Sequence, residues 1–253
     1  MGGCSPSNTM IRPRTSKLYE QITPQIARDI VSKRLPPGST IPSEPQLVAT
    51  YGVSKTVARE TVQVLEAAGL VRVQHGRRTI VLDEQEWNIL SPLIQEAYRA
   101  ENLAGPIIAE LYEVRLQLEP QAAYWAAKRA TAEEIQQIQN ALDAMRQSLT
   151  AKQPFLDHDQ EFHVAVVSAA ANRVLRAVLR DLHEVLISSW VITDLTIDDL
   201  RIVFDQHQRI ADAISNADGP EAERAMRDHL EWARAKDRLV TTGVPIPMMS
   251  GAL

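Results

Sequence analysis

Residues 41–82 have the sequence IPSEPQLVATYGVSKTVARETVQVLEAAGLVRVQHGRRTIVL, and they decide the fold of the N-terminal part of the chain. Ser43 and Gln46 have the spacing of a capping box, which predicts the start of a helix. Gly52 suits a sharp turn, and Ser54 can cap a second helix. The residues after that helix form two short apolar runs around a basic turn, as in a β-hairpin. Helix, turn, helix and hairpin in this order predict a winged helix-turn-helix.

The second helix of this stretch has two chemically different faces. Ala58, Val62 and Leu65 are spaced to form one buried stripe. The opposite face offers cations and hydrogen-bonding side chains, which suit the major groove of duplex DNA. The alternative, a solvated basic face on an ordinary helical domain, does not explain the order of the elements. The residues expected to contact DNA are Ser54, Lys55, Thr56 and Arg59 of the helix and His75, Gly76 and Arg77 of the hairpin tip.

The charge of the chain is unevenly distributed. Residues 1–82 carry 11 Lys and Arg against 5 Asp and Glu, a net charge of +6. Residues 83–253 carry 16 Lys and Arg against 27 Asp and Glu, a net charge of −11. A basic module gains affinity for DNA by releasing counterions from the phosphates, whereas an acidic module is repelled by them. The basic part is therefore expected to bind the duplex, and the acidic part to sit away from it.

Length and composition limit the remaining possibilities. The 253 residues are enough for two domains, and 45% of them are hydrophobic. Cys4 is the only cysteine, which excludes an intrachain disulfide and suits the reducing cytoplasm. No apolar run is long enough to span a membrane, and the N-terminus lacks the apolar core of a signal peptide. We expect a cytoplasmic protein, nucleoid-associated when bound to DNA, with disordered tails at 1–14 and 241–253.

The pattern after the predicted hairpin is helical almost throughout. Residues 15–82 are expected to form the winged helix-turn-helix domain, 83–88 a linker, and 89–240 an all-helical bundle. A bundle of about seven helices is large enough to enclose a pocket. The expected helices are 85–100, 104–129, 131–150, 154–171, 173–192, 197–216 and 219–239.

Three predicted helices of the bundle carry residue types that bind metals. Asp159 and His163 are four residues apart and share one helix face. His207 and His229 lie beside apolar residues on two other helices. Three imidazoles and one carboxylate can surround a divalent transition metal, zinc first, with nickel, iron or manganese as alternatives. From the spacing alone, the interpretation that each histidine is separately a core or surface residue stays open.

The remaining polar groups of this region argue against an enzyme. His158 and His183 show no partner pattern and are expected at the surface. The alternative function, a metal-dependent hydrolase with an appended DNA-binding domain, needs a base placed beside the ion. Glu161 lies two residues after Asp159, roughly 200° round the helix, and therefore points away from the ion. We predict that the chain is not an enzyme.

Motifs in both parts of the chain occur together in one known family. In the first part they are Pro37-Gly38, Ile41-Pro42-Ser43-Glu44, Leu47, Gly52-Val53-Ser54-Lys55-Thr56, Arg59-Glu60, Leu65, Gly69-Leu70-Val71 and Gly76-Arg77. In the second part they are Arg115-Leu116-x-Leu118-Glu119, Asp159-x-x-Phe162-His163, His207-x-x-Ile210 and Met226-x-x-His229-Leu230. With these motifs the chain resembles, over residues 17–239, the FadR subgroup of GntR-family transcription regulators.

The resemblance implies a role for the helical bundle. It is similar to the FCD-type effector-binding and dimerisation domain, in which Asp-x3-His and two later histidines hold a metal. The same four residues are therefore the implied ligands here. The implied effector is a small organic acid, and Arg115 is the candidate for binding its carboxylate, with a pair to Glu119 as the alternative role. The implied regulator, a repressor before an activator, binds a palindromic operator in double-stranded DNA as a homodimer.

Three positions of the first domain differ from the family pattern. Pro45 and Lys55 stand where the family usually has arginine, and Arg78 stands where glycine is frequent. Pro45 removes a contact, whereas Lys55 keeps the charge but loses the planar fork that binds guanine through two bonds. Arg78 adds charge to the wing. The operator is therefore expected to differ from that of relatives with both arginines.

Overall fold

The structure, a computed structural model, describes residues 15–74, 78–189 and 195–242. Its packing forms two compact units, and the chain passes from one to the other between Leu103 and Ala104. The tails expected at 1–14 and 241–253 lie outside the described residues, except that 241–242 end the last helix. None of the described helices combines the length and the apolar character that crossing a membrane requires.

The first unit begins with the predicted winged helix-turn-helix, which is confirmed. The backbone N–H of Ser43 donates to Gln46 Oε1 at 2.8 Å, and the left-handed Gly52 (φ 65°) turns the chain. The N–H of Val57 donates to Ser54 Oγ at 3.2 Å and so caps the second helix of the motif. The elements are α1 (Thr15–Val31), α2 (Glu44–Tyr51), α3 (Lys55–Ala67), β1 (Val71–Gln74) and β2 (Arg78–Val81), the two strands being antiparallel.

The segment after the wing packs on the first unit instead of starting the bundle. A single 3₁₀ turn at Glu84–Glu86 precedes α4 (Pro92–Ala100), so the helix expected at 85–100 begins later. The helix α4 packs on α1, and its Ile94 and Tyr98 are buried. The packing boundary therefore falls after α4 and not at the linker expected at 83–88, because α1 covers the apolar face of α4.

The second unit is all-helical, as predicted. Of the seven helices expected after the wing, the first packs with the first unit and the others form the bundle. The central helix α5 contacts α7, α8, α9 and α10, and the core around it includes Leu142, Met145, Phe155, Phe162 and Leu230. The helices are α5 (Gly105–Arg129), α6 (Ala132–Gln147), α7 (Lys152–Ala169), α8 (Arg173–Ser189), α9 (Ile197–Ser215) and α10 (Gly219–Thr242).

Candidate DNA-binding face and metal centre

The helix α3 separates its apolar and polar residues as predicted. The stripe expected inside the unit is buried: Ala58, Val62 and Leu65. The residues expected to contact DNA are exposed: Ser54, Lys55, Thr56 and Arg59. Within the described ranges, neither of the two cations on this face forms an ion pair, so both charges are free to approach phosphates or base edges.

The wing continues the DNA-binding module beyond α3. Its strands pair from Val71 opposite Val81 to Gln74 opposite Arg78. The predicted contacts at the tip, His75, Gly76 and Arg77, lie outside the described residues. Arg78 is exposed at the start of β2, and Pro45 is exposed in the first turn of α2, where it offers neither a charge nor an N–H donor.

Three helices bring the four predicted metal ligands together inside the second unit. Asp159 and His163 come from α7, and His207 and His229 come from α9 and α10. One ligand atom from each lies within 4.8 Å of all the others, and all four residues are buried. His163 Nε2 lies 3.2 Å from His229 Nε2 and 3.3 Å from His207 Nε2. The distance from His207 Nε2 to Asp159 Oδ1 is also 3.3 Å. Donors that share one ion at about 2.0–2.2 Å are roughly 3 Å apart, so the donor set fits a single ion.

The other nitrogen of each imidazole faces an oxygen atom. The acceptors are the carbonyl oxygen of Val203 for His207 at 2.7 Å, Oε1 of Gln206 for His229 at 2.9 Å, and Oε2 of Glu119 for His163 at 2.7 Å. The third pair is poorly aligned for a hydrogen bond, but neither atom has another hydrogen-bonding partner among the described residues. These oxygens favour the proton on Nδ1 in all three rings. The Nε2 lone pairs then face one another, and a cation between them would remove the repulsion.

Burial sets the ionisation of the cluster. It lowers the pKa of His207 to about 4. Burial, reinforced by the neighbouring imidazoles, holds the pKa of His229 well below its ordinary value. The pKa of His163 is lowered by burial against the opposing effect of Glu119. Neutral imidazoles are the form that binds metals. Burial raises the pKa of Asp159, and a divalent cation beside it would favour the charged carboxylate.

His183 is buried, and the prediction that it lies at the surface is wrong. Its Nε2 lies 3.0 Å from Glu119 Oε1, so Glu119 connects it to His163. Burial raises the pKa of Glu119. The interactions with Arg115, His163 and His183 outweigh burial and hold this pKa well below its ordinary value. The spacing contains a signal for His183, because it follows the buried Leu179 by four residues. The prediction missed Glu119 as a support for His163 and considered it only as a partner of Arg115.

The surface groups of α7 lie where they were expected. His158 Nδ1 is 3.1 Å from Glu161 Oε2, and the two side chains are 29% and 63% exposed. Glu161 therefore points away from the buried cluster, as the helical spacing predicts.

Arg115 lies on α5 between the cluster and a small cavity. Its Nε donates to Glu119, so the pair considered as the alternative role is formed. Its guanidinium also lies 5.3 Å from the centre of the Tyr112 ring. The cavity beside it is lined by Tyr112, Arg115, Phe155, Leu156, Asp159, His163, Leu195, Val203, His229, Trp232, Ala233 and Lys236. An anion in this cavity would meet two cations and three of the four metal-ligand candidates.

Known proteins similar to this chain are bacterial regulators. The family described as "Bacterial regulatory proteins, gntR family" matches residues 18–81, and the FCD domain matches residues 110–231. The "HTH-type transcriptional repressor NanR" of Cronobacter sakazakii is 32% identical over 220 residues, which cover 85% of this chain and 83% of the relative. The "Galactonate operon transcriptional repressor" of Escherichia coli is 28% identical over 210 residues, which cover 81% of this chain and 90% of the relative.

Solved structures agree with the fold. A chain from work described as "Lar controls the expression of the Listeria monocytogenes agr system and mediates virulence" has a TM-score of 0.64 and 12% identity. The match covers 91% of this chain and 99% of that one. The E. coli protein McbR/YncC has a TM-score of 0.51 and 14% identity, and the match covers 88% and 98% of the two chains. At these identities the likeness concerns the fold alone.

Proposed function

The chain belongs to the GntR family of DNA-binding transcription regulators and carries an FCD domain, and from this premise we propose a repressor whose operator binding responds to a small organic acid held beside a divalent metal. The relatives named above are transcription regulators and not enzymes, so the hydrolase alternative has no support.

The proposed DNA contact is the exposed face of α3 with the tip of the wing. Lys55 and Arg59 are the cations of this face, and Ser54 and Thr56 flank Lys55. His75, Gly76 and Arg77 are proposed as the contacts of the wing. One such module covers only a short half-site, and two copies related by a two-fold axis match a palindromic operator. We therefore propose a homodimer.

The metal proposal rests on one observation, the three Nε2 atoms that face one another while each Nδ1 faces an oxygen. Asp159, His163, His207 and His229 are the proposed ligands. FCD domains are known to bind metal, and the imidazole-rich donor set favours zinc, with nickel, iron or manganese as alternatives. The bound ion supplies a positive charge and a Lewis acid for an anionic effector. The protein residues orient the rings and bury the donor atoms.

The effector proposal rests on the cavity beside the cluster. Arg115 lines it, and Glu119 binds Nε of its guanidinium. A guanidinium can therefore present its terminal nitrogens to a carboxylate while it stays paired. An effector shifts DNA binding only by binding the two DNA-affinity states differently.

The first test measures metal, assembly and response in the full-length protein. Metal analysis is expected to find a divalent ion, and light scattering is expected to find a dimer on an operator selected from random duplex DNA. Organic acids are then screened by thermal shift with zinc-loaded and metal-stripped protein, and the acids that bind are added to an operator-binding titration. An acid that binds only the loaded protein and changes operator affinity supports the proposal.

Two results would contradict it. If the purified protein contains no metal and cannot be loaded with one, the proposed metal site is wrong, even if an acid binds. If the protein stays monomeric on its operator at micromolar concentration, the proposed homodimer is wrong. This result would not contradict the metal site.

A further inference from the structure

One face of α10 runs from the metal cluster to a second cation of the cavity. His229, Trp232, Ala233 and Lys236 all line the cavity and recur at helical spacing. Lys236 follows His229 by two turns, a rise of roughly 10 Å along the axis. The cavity therefore has one polar end at the cluster and Arg115, and another at Lys236. The walls between them are largely apolar, with Phe155, Leu156 and Trp232 among them.

Lys236 forms an ion pair with a carboxylate that has further hydrogen bonds of its own. Its Nζ lies 2.7 Å from Asp199 Oδ1, and the two side chains are 17% and 10% exposed. The other oxygen, Oδ2, accepts from the backbone N–H and the hydroxyl of Thr196, both at 2.8 Å. Asp199 also lies in the first turn of α9, where the helix dipole stabilises a negative charge. If Lys236 turned to another acceptor, Asp199 would therefore keep both hydrogen bonds on Oδ2 and the favourable effect of the helix dipole.

The pKa of Asp199 fits this description. Burial raises it, but the bonds from Lys236 and Thr196 outweigh burial and hold the pKa below its ordinary value. The bond from Lys236 is the largest of these stabilising contacts, and the two bonds from Thr196 follow it. Lys236, by contrast, has Asp199 as its only ion-pair partner among the described residues.

The cavity is small as it stands. Its volume is about 30 Å³, which leaves room for water and not for an organic acid with a chain of several carbons. An acid of that size therefore requires side chains to move. Lys236 is a flexible side chain at the end of the cavity remote from the cluster, and on its release from Asp199 the carboxylate keeps its two hydrogen bonds from Thr196.

We propose that Lys236 is the specificity-determining residue for the tail of the effector, and that it exchanges Asp199 for an oxygen acceptor on that tail. The inference rests on the proposed function, because it takes the carboxylate of the effector to lie at the metal and Arg115. It names the chemical class of the effector as an acid whose far end carries oxygen acceptors, either hydroxyl groups or a second carboxylate. Acids with an aliphatic tail would leave Lys236 on Asp199 and bind less tightly.

The test compares three acids of equal carbon number by calorimetry on zinc-loaded full-length protein. Hexanoate has an aliphatic tail, adipate ends in a second carboxylate and gluconate carries hydroxyl groups. Adipate, gluconate or both are expected to bind the wild type at least about 10-fold more tightly than hexanoate, as expected for hydrogen bonds to a charged group. Binding of only one of the two identifies which acceptor Lys236 takes.

Two variants of the same ion pair should act in opposite directions. Lys236→Met should reduce the affinity for the polar acid to the level of hexanoate, a loss of about 10-fold or more. Asp199→Asn keeps an oxygen for Thr196 but removes the charge that holds Lys236, so it should raise the affinity for the polar acid. Neither variant should change the affinity for hexanoate or the zinc content. A purely structural ion pair would make both variants change affinity in the same direction.

The outcomes separate this inference from the proposed function. Equal affinity of the wild type for all three acids, or two variants that weaken binding alike, would overturn the role of Lys236 while the metal-dependent binding stands. Failure of all three acids to bind zinc-loaded wild type would overturn the inference as well. The proposed effector response would still stand if another acid bound in a metal-dependent way.

Discussion

Replacing His207 by alanine should abolish the stabilisation that the protein gains from zinc. His207 Nε2 lies 3.3 Å from both His163 Nε2 and Asp159 Oδ1, so the variant loses one of four converging donors. At a free zinc concentration 100 times the Kd, binding to the folded state contributes about 2.7 kcal/mol. For a chain of this size this corresponds to a rise in Tm of roughly 5–10 °C. The variant should therefore have the same Tm in the presence of zinc and in the presence of a chelator.

The measurement is thermal unfolding of metal-stripped and zinc-loaded protein, and the quantity compared is the increment in Tm caused by zinc. His207 also packs against Phe162, with ring centres 4.6 Å apart, so the variant should lose stability in both states. His183→Ala is the matched control, because it removes another buried imidazole that contacts Glu119 and lies outside the four-residue cluster. It should lower both melting temperatures but keep most of the zinc increment. The assignment of the ligands would be refuted if zinc raised the Tm of His207→Ala as much as that of the wild type. It would also be refuted if both variants lost the zinc-induced rise in Tm to the same extent.

Three further predictions concern the DNA contact, pH and the first unit. Arg59→Ala should weaken binding to the selected operator by about 1–3 kcal/mol and binding to random DNA by less. If titrations at the same salt concentration show equal losses of affinity for both DNAs, Arg59 contacts only phosphate. In metal-stripped protein the pKa of His207 is about 4, below its usual 6.5. As the pH falls, His207 is therefore protonated in the unfolded state at a higher pH than in the folded state. Stability should therefore be full above pH 6.5 and fall by about 3 kcal/mol from this group as the pH drops to 4; denaturant titrations that show no such fall would contradict the burial of a neutral ring. A fragment of residues 15–103 should melt at a higher temperature than one of residues 15–82, because α4 covers α1; equal melting temperatures would show that α4 adds nothing.

Local signals carried the prediction of the DNA-binding module. The capping pair Ser43 and Gln46, the left-handed Gly52 and the cap at Ser54 each act over a few residues, so they are visible in the chain itself. The buried stripe of α3 follows from helical periodicity in the same way. The position of α4 did not follow, because its apolar face is equally suited to the bundle or to α1, and only packing distinguishes them.

The candidate metal site also contains residues that the sequence predicted and residues that it did not. Its four residues were predicted from their types, their spacing and the resemblance to a family, since Asp159 and His163 share a face whatever the helix packs against. Glu119 and His183 were not recognised as a pair, because 64 residues separate them along the chain. Their contact depends on how α8 packs against α5.

The sequence by itself determined which segments are helical, which face of α3 is exposed and which residue types can hold a metal, because caps, turns and periodicity operate within a few residues. Tertiary structure alone decided that Glu119 stands behind His163, that His183 is buried and that Lys236 pairs with Asp199. The physical reason is that these contacts join residues on different helices, and the distances between such residues are set by the angle and depth at which the helices pack.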